Sequence, residues 1–170
     1  IDIAIFSNLS EEHLDFHGNM ENYFSSKLKL FKNLQSSKTA IINIDDPYSN
    51  KICKSTSAKI LTYGNNKNAD IYPKNISFNL NGLKTLLIYK DNKINIKSNI
   101  IGEYNLYNVM ASTAAALTMG ISIKNIEKGL STLPPIPGRL EHVKSNFPGK
   151  IFIDYAHTPD AYEKLFSTIK

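Results

Sequence analysis

Short apolar segments alternate with helical segments over the first part of the chain, and this alternation constrains the fold more than any other feature. Residues 3–8, 39–44 and 60–63 are apolar runs that predict β-strands. Residues 19–34 have the period of an amphipathic helix, and residues 47–54 predict a shorter helix. Right-handed crossovers between parallel strands connect such a βαβαβ pattern economically. The sequence therefore predicts an α/β fold with an open, doubly wound, mostly parallel sheet.

Three further segments follow with strand-like alternation, at residues 71–80, 83–89 and 93–101. Asn81 with Gly82 joins the first pair, and Asp91 with Asn92 joins the second pair. Because these dipeptides are typical of tight turns between antiparallel strands, the three segments predict a β-meander.

Two helices and a second domain are predicted after the meander. Residues 105–119 and 123–133 predict helices, and Pro134 with Pro135 ends the second one. The proline-rich stretch that follows is typical of a linker, and a new strand and helix begin after Pro148 and Gly149. The sequence thus predicts one domain over residues 1–148 and the start of another over residues 149–170.

Composition excludes several classes of protein. With 170 residues and 42% hydrophobic content, the chain is long enough for one ordinary core. No apolar run approaches the roughly 20 residues that cross a bilayer, so we expect no membrane partner. The single Cys53 cannot form an internal disulfide, which favours the cytoplasm. The net charge of +5 comes from scattered lysines and one arginine, so we expect no nucleic-acid partner.

Polar side chains follow the first two predicted strands. His13, Asp15 and His17 come after the first strand at alternate positions, and Asp45 with Asp46 comes directly after the second. The carboxyl ends of parallel strands are where such sheets bind ligands. The histidine group is either an exposed polar loop or a metal and proton-transfer site, and both interpretations stay open. Helix capping explains one of the two aspartates, since a proline-started helix follows.

Lys27 occupies an unusual position on the first predicted helix. It lies near the middle of the apolar stripe, which predicts that its side chain points toward the core. One interpretation is that the stem packs while the ammonium reaches the solvent. The other is that burial lowers its pKa and leaves a neutral amine that can react or be modified. The stripe consists of Met20, Tyr23, Phe24, Phe31 and Leu34.

Two polar groups near the later helices are also candidates for ligand binding. Asn105 and Asn108 are three residues apart at the start of a helix, so both amides share a face, although an asparagine cap needs no ligand. Residues 154–160, DYAHTPD, are the densest polar cluster in the chain. They lie at a strand-to-helix junction of the kind that holds phosphates.

The order and spacing of these groups resemble the Mur ligases over essentially the whole length of the chain. Within that family, HLDFHG together with DYAHTPDA looks most like the class that adds the third amino acid, diaminopimelate or lysine, to UDP-MurNAc-L-Ala-D-Glu. The matching segments are NLSEEHLDFHG at 8–18, YFSSKLKLF at 23–31, INIDDP at 42–47, GEYNLYN at 102–108, PGRLE at 137–141 and DYAHTPDA at 154–161.

The resemblance implies a metal side of the site. His13 matches the family's Mg²⁺-ligating histidine. Lys27 matches the lysine that CO₂ converts to a carbamate, whose carboxylate supports a second Mg²⁺. Because a carbamate forms only on a neutral amine, this role agrees with the second interpretation of Lys27.

The resemblance also implies a nucleotide side. Asn105 and Asn108 match the pair associated with ATP binding. Arg139 matches a hinge arginine that contacts the nucleotide phosphates and counts among the catalytic residues. Asp154 matches the aspartate at the ribose, and His157 matches a position in the same cleft.

The implied fold and activity follow from the same resemblance. Residues 1–148 would be the later part of the P-loop-type central, ATP-binding domain, and residues 149–170 the start of a Rossmann-like C-terminal domain. The implied enzyme is a monomeric, cytoplasmic amide ligase of peptidoglycan synthesis, which uses ATP, Mg²⁺, a UDP-MurNAc-dipeptide and a diamino acid, and passes through an acyl phosphate.

Three expectations limit that interpretation. No GxxxxGK[ST] phosphate-binding loop is present, so we expect the chain to be an internal fragment that is inactive alone. One alternative is a folylpolyglutamate synthase-like ligase. The other is a non-catalytic α/β binding module, which a P-loop lysine upstream would exclude.

Overall fold

Three parallel strands form one half of the main sheet. The computed structural model describes residues 1–11 and 14–169, except for the side chain of Asp160. Strands β1 (Ile3–Phe6), β2 (Thr39–Asn43) and β3 (Lys59–Tyr63) lie side by side in that order. Both pairings are parallel. This confirms the predicted alternation of strands and helices in the first part of the chain.

The connections between these strands are helical. A four-residue helix, α1 (Leu14–His17), precedes α2 (Met20–Lys32), and α3 (Ser49–Ser55) joins β2 to β3. Asn19 caps α2, because its side chain accepts a hydrogen bond of 2.9 Å from the backbone N–H of Asn22. The sequence predicted α2 and α3 within a few residues of their bounds. It did not predict α1, since four residues are too few for a periodic pattern.

A β-meander completes the six-stranded sheet, as the sequence predicted. Strands β4 (Ile71–Asn79), β5 (Gly82–Tyr89) and β6 (Asn92–Ser98) pair antiparallel, and β4 joins β3 in parallel. Gly82 has φ of 125°, and a Cβ there would collide with the carbonyl oxygen of Ser98. Only glycine therefore fits this turn. Three of the five pairings are parallel, which confirms a mostly parallel sheet.

Helices cover both faces of this sheet. Helices α4 (Tyr104–Thr118) and α5 (Ile123–Ser131) pack on one face, where Ile41, Tyr63, Leu106 and Met110 are fully or almost fully buried. Helices α2 and α3 contribute Phe24, Phe31 and Ile52 to a second core on the other face, with Ala40 and Ile42 of β2. Successive residues of β2 thus point into different cores, which is why this strand is apolar throughout.

The last part of the chain forms a small hairpin and a helix. Strands β7 (Glu141–Val143) and β8 (Ile151–Ile153) pair antiparallel in a sheet of their own, and α6 (Pro159–Ile169) follows. The sequence predicted β8 and α6 but not β7, which has only three residues. The domain boundary at residue 148 stays a prediction, and the hairpin joins residues on either side of it. No helix in the described part is long and apolar enough to cross a membrane.

Candidate functional site

A cleft of about 550 Å³ lies at the carboxyl ends of the parallel strands. Its walls are the residues after β1, the turn after β2, the first two turns of α4, the arginine before β7 and one side of α6. We call it the strand-end cleft. Its volume is within the range of small-molecule sites, and the edge it occupies is where open α/β sheets bind ligands.

Asp46 lines the cleft but has a structural role. Its side chain is buried, and its two oxygens accept hydrogen bonds from the backbone N–H groups of Leu9 at 2.9 Å and Tyr48 at 2.8 Å. The first bond holds the segment after β1, and the second organises the turn that leads into α3. The expectation that helix capping explains one of the two aspartates was wrong, because Tyr48 is the N-cap of α3 and makes no side-chain cap bond. Asp46 instead shapes the turn before the helix.

Asp45 has a different environment, because its side chain is exposed to the cleft. Its Oδ2 atom accepts hydrogen bonds from the backbone N–H of Asn65 at 2.5 Å and from the Tyr107 hydroxyl at 3.0 Å. Burial, followed by the bond to Asp45, raises the pKa of Tyr107 to about 12. Tyr107 therefore stays protonated at neutral pH and connects α4 to the turn after β2.

The two asparagines of α4 are hydrogen-bonded to each other. The Asn108 amide donates to Oδ1 of Asn105 at 2.9 Å, and the Asn105 amide donates to the carbonyl of Ile101 at 2.6 Å. Asn105 is buried and does not line the cleft, whereas Asn108 does. The shared face is as predicted. However, only Asn108 faces the cleft, with Asn105 as its support.

Two cationic side chains also line the cleft. Arg139 comes from the segment before β7, and Lys164 comes from α6. Burial and the charge of Asp154 raise the pKa of Tyr104, while the charge of Arg139 opposes this. Tyr104 thus lies near both Arg139 and Asp154. Tyr107, which contacts Asp45, is about one helical turn further along α4.

Asp154 and His157 do not line the strand-end cleft. The two carboxylate oxygens of Asp154 accept bonds from the backbone N–H groups of Leu140 at 2.7 Å and Ala156 at 2.8 Å. His157 is exposed, with Nδ1 at 2.9 Å from the carbonyl oxygen of Tyr155. Asp154 therefore holds the end of β8 to the residue after Arg139, and the ligand roles of both residues stay predictions.

Lys27 lines a second cavity of about 490 Å³, which we call the Lys27 cavity. The expectation that this side chain points into the core was wrong, since Lys27 is exposed. Its Nζ lies 5.2 Å from the ring centroid of Tyr23, over a buried aromatic face. The cavity lies between α2 and the end of β1, which contributes Ile5 and Phe6 to its lining, so the apolar stripe meets an opening at this level. Ser7 and Asn8 line both cavities, so the two sites meet at the end of β1.

The histidine group of the first loop is only partly described. His13, the predicted Mg²⁺ ligand, lies outside the described residues. His17 stacks on Tyr23, with ring centroids 4.6 Å apart, and packs against Phe16. It therefore supports α2. Within residues 1–11 and 14–169, no group of three or more His, Cys, Asp or Glu side chains could hold a metal ion.

Several residues of the cleft were not predicted from the sequence. Tyr104 and Tyr107 were not singled out, although both lie in the GEYNLYN segment. Their spacing of three on a helix was a usable signal, since it places both rings on one face. Lys164 was also missed, because one lysine on an exposed helix carries no signal of its own.

Comparisons with known proteins give a consistent result. A family model described as the Mur ligase middle domain matches residues 1–116. A UDP-N-acetylmuramoyl-L-alanyl-D-glutamate–2,6-diaminopimelate ligase of Clostridium botulinum is 44% identical over 98% of this chain and 34% of its own length. A second ligase of this name, from Clostridium acetobutylicum, is 43% identical over 95% of the chain and 33% of its own length. The chain therefore spans about a third of these relatives.

Solved structures have the same fold. A structure of a UDP-N-acetylmuramoyl-L-alanyl-D-glutamate–2,6-diaminopimelate ligase superposes with a TM-score of 0.83 and 32% identity, over 99% of this chain and 35% of that one. An FPGS–AMPPCP complex superposes with a TM-score of 0.79, over 99% of this chain and 42% of that one. Its identity of 17% means that this second likeness concerns the fold alone.

Proposed function

Because the chain belongs to the Mur ligase family, whose middle-domain model matches residues 1–116, we propose that the whole protein is an ATP-dependent amide ligase of peptidoglycan precursor synthesis. It adds diaminopimelate, or lysine, to UDP-MurNAc-L-Ala-D-Glu. The observation that carries this proposal is the 44% identity to a 2,6-diaminopimelate ligase over 98% of the chain. The phosphate-binding loop and the amino-acid pocket belong to the rest of such a protein.

The strand-end cleft fits a nucleotide. It has the volume of a small-molecule site, and it combines the cations Arg139 and Lys164 with the aromatic rings of Tyr104 and Tyr107. Cations neutralise phosphate charge, while rings cover a base or sugar. Asn108 adds an amide, held in place by Asn105. We assign ATP binding to this cleft, with Arg139 at the phosphates and Asp154 and His157 beyond it.

The Lys27 cavity fits a carbamate and a magnesium ion. Its described polar side chains are hydroxyls, an amide and the Lys27 amine, and none of the described residues that line it is acidic. Mg²⁺ prefers oxygen ligands and is usually held by carboxylates. CO₂ added to the Lys27 amine would supply the missing carboxylate, and we assign His13, outside the described residues, as a further metal ligand. When bound, Mg²⁺ would neutralise charge on the transferring phosphoryl group.

The residues of this chain then act by positioning in a two-step ligation. ATP phosphorylates the γ-carboxylate of the D-glutamate, and the amine of the incoming amino acid displaces phosphate from the acyl phosphate. Arg139 neutralises phosphate charge, and Asn108 orients the nucleotide. Because Ser7 and Asn8 line both cavities, the end of β1 is where the nucleotide meets the group held by Lys27. Preorganised groups of this kind supply most of the catalysis in phosphoryl transfer.

The alternative of a folylpolyglutamate synthase-like ligase rests on the fold that both groups share. A substrate test separates the two. The full-length protein is incubated with ATP, Mg²⁺ and UDP-MurNAc-L-Ala-D-Glu, with diaminopimelate, with lysine, or with neither. We expect ADP release and a UDP-MurNAc-tripeptide, detected by mass, with one diamino acid only. ADP release that depends on a folate and glutamate would contradict the proposal, and a protein that binds ATP but ligates nothing would be a binding module.

We also propose that the protein is cytoplasmic and acts as a monomer. The proposed substrates, a nucleotide and a nucleotide-linked sugar peptide, favour the cytoplasm, and the monomeric state is what the resemblance to the family implies. Size-exclusion chromatography with light scattering tests the oligomeric state. A dimer that persists at nanomolar concentration would contradict it.

A further inference from the structure

Asp45 is an exposed carboxylate that its neighbours hold in one position. Its Oδ2 atom accepts two hydrogen bonds, from the backbone N–H of Asn65 and the hydroxyl of Tyr107. Gly64 packs against it, since a Cβ there would lie 3.0 Å from Oδ1 and 3.1 Å from Oδ2. Three segments, the turn after β2, the turn after β3 and helix α4, thus fix one side chain. Such fixation lowers the entropy cost of receiving a ligand.

The second oxygen of this carboxylate remains available. Among the described residues, Oδ1 of Asp45 accepts no hydrogen bond, and the residue lines the strand-end cleft. Asp46 next to it has both oxygens bonded to backbone N–H groups. Of these two neighbouring aspartates, Asp46 thus has both oxygens bonded to the backbone, whereas Asp45 is held in position and keeps one acceptor oxygen for a ligand.

The charges in the cleft decide which part of a nucleotide can approach Asp45. A carboxylate repels phosphate, and the cations of the cleft, Arg139 and Lys164, come from segments other than the turn after β2. Along α4, Tyr107 contacts Asp45, whereas Tyr104 lies near both Asp154 and Arg139. The phosphate groups offer no hydrogen-bond donor at neutral pH, so only the nucleoside part of a nucleotide can approach Asp45 favourably.

We propose that Oδ1 of Asp45 accepts a hydrogen bond from the nucleoside part of the bound nucleotide and thereby contributes to nucleotide selection. This rests on the proposed function, since it requires ATP in the strand-end cleft. A nucleoside offers such donors as the exocyclic amine of the base and the hydroxyls of the ribose. Tyr107 and Gly64 act as positioning residues, since they fix the carboxylate and do not need to touch the ligand.

The test measures nucleotide affinity in the full-length protein by titration calorimetry. Asp45→Ala is compared with wild type for ATP and for three analogues that each lack one donor: purine riboside triphosphate, 2′-deoxyATP and 3′-deoxyATP. We expect Asp45→Ala to weaken ATP binding about tenfold, which is typical of a lost hydrogen bond to a charged group. One analogue should bind wild type about tenfold more weakly and lose nothing further in Asp45→Ala, which identifies the donor.

The direction of the change in ATP affinity separates a hydrogen bond to the nucleoside from a general effect of negative charge. If Asp45 acted only through its charge, its removal would strengthen ATP binding, because the repulsion between the carboxylate and the triphosphate would disappear. A loss of ATP affinity therefore requires a specific contact. Glu103→Gln is the matched control, because Glu103 is an exposed acidic residue of the same cleft. It is expected to bind ATP at least as tightly as wild type. Tyr107→Phe should weaken ATP binding by less than Asp45→Ala, since it frees the carboxylate without removing it.

Three outcomes would overturn the proposal. ATP affinity that is unchanged or higher in Asp45→Ala would exclude the contact. Equal losses for ATP and all three analogues would mean that Asp45 acts on the fold of the cleft and not on a nucleoside donor. Absence of ATP binding by wild type would overturn the proposed function as well, whereas the first two outcomes would leave it intact.

Discussion

Removal of the Asp46 carboxylate is expected to destabilise the protein strongly. The side chain is 8% exposed, and it accepts two backbone hydrogen bonds, from Leu9 at 2.9 Å and from Tyr48 at 2.8 Å. A hydrogen bond to a charged group contributes about 1.5–3 kcal/mol, so Asp46→Ala should cost about 3–6 kcal/mol. Asp46→Asn keeps one acceptor oxygen and should cost about half as much.

The structure also provides a control with the same number of bonds. Asp70 accepts hydrogen bonds from the backbone N–H of Thr62 at 2.8 Å and from its hydroxyl at 2.7 Å, but Asp70 is exposed. Water can replace a lost acceptor there, so Asp70→Ala should cost less than about 1 kcal/mol. The difference between the two variants isolates the effect of burial.

Two measurements test this reasoning on the full-length protein. Urea denaturation followed by circular dichroism gives the change in unfolding free energy. Hydrogen exchange at the amides of Leu9 and Tyr48 reports local opening. Both amides should exchange faster in Asp46→Ala. A cost below about 1 kcal/mol with unchanged protection at these amides would refute the assignment of Asp46 as a buried structural acceptor.

Three further predictions concern the two cavities. Lys27→Ala should abolish turnover of the full-length enzyme, with partial rescue by formate or acetate, and ¹³C-labelled CO₂ should give a carbamate NMR signal in wild type only; unchanged turnover would exclude the carbamate. The bond between Tyr107 and Asp45 should contribute fully below about pH 10 and be lost as the pH rises through about 12, because the pKa of folded Tyr107 lies above that of an unfolded tyrosine. Tyrosinate absorbance that disappears in Tyr107→Phe should titrate near pH 12, and titration near pH 10 would contradict this. Gly64→Ala should destabilise the protein by about 1–3 kcal/mol, since the new Cβ would lie 2.9 Å from Cγ1 of Ile44 and close to the fixed Asp45; a neutral effect in urea denaturation would show that the neighbours move freely.

Sequence patterns were sufficient for most of the fold. The apolar runs gave β1 to β3, and turn dipeptides gave the meander, because both signals are local properties of a few residues. The three residues of β7 gave no signal, since their strand character comes from pairing with β8. Short elements of this kind depend on distant partners and not on their own sequence.

The candidate site was predicted less completely than the fold, because the role of each polar residue depends on contacts that its own sequence segment does not contain. Helical spacing correctly placed Asn105 and Asn108 on one face, but it could not decide which of them reaches the cleft. The chemistry of Asp45 and Asp46 is identical in the sequence. Only the distant groups that contact them, 37 residues away in one case and 62 in another, separate a structural aspartate from a fixed free acceptor.

The α/β architecture, the family and the polar groups at the strand ends can all be predicted from the sequence alone, because periodicity and motif order are local properties of the chain. Tertiary structure decided the environment of each group. Periodicity gives the direction in which Lys27 points from its helix, but what lies in that direction is set by where β1 ends. Since a cavity lies between α2 and the end of β1 there, a side chain expected in the core lines that cavity.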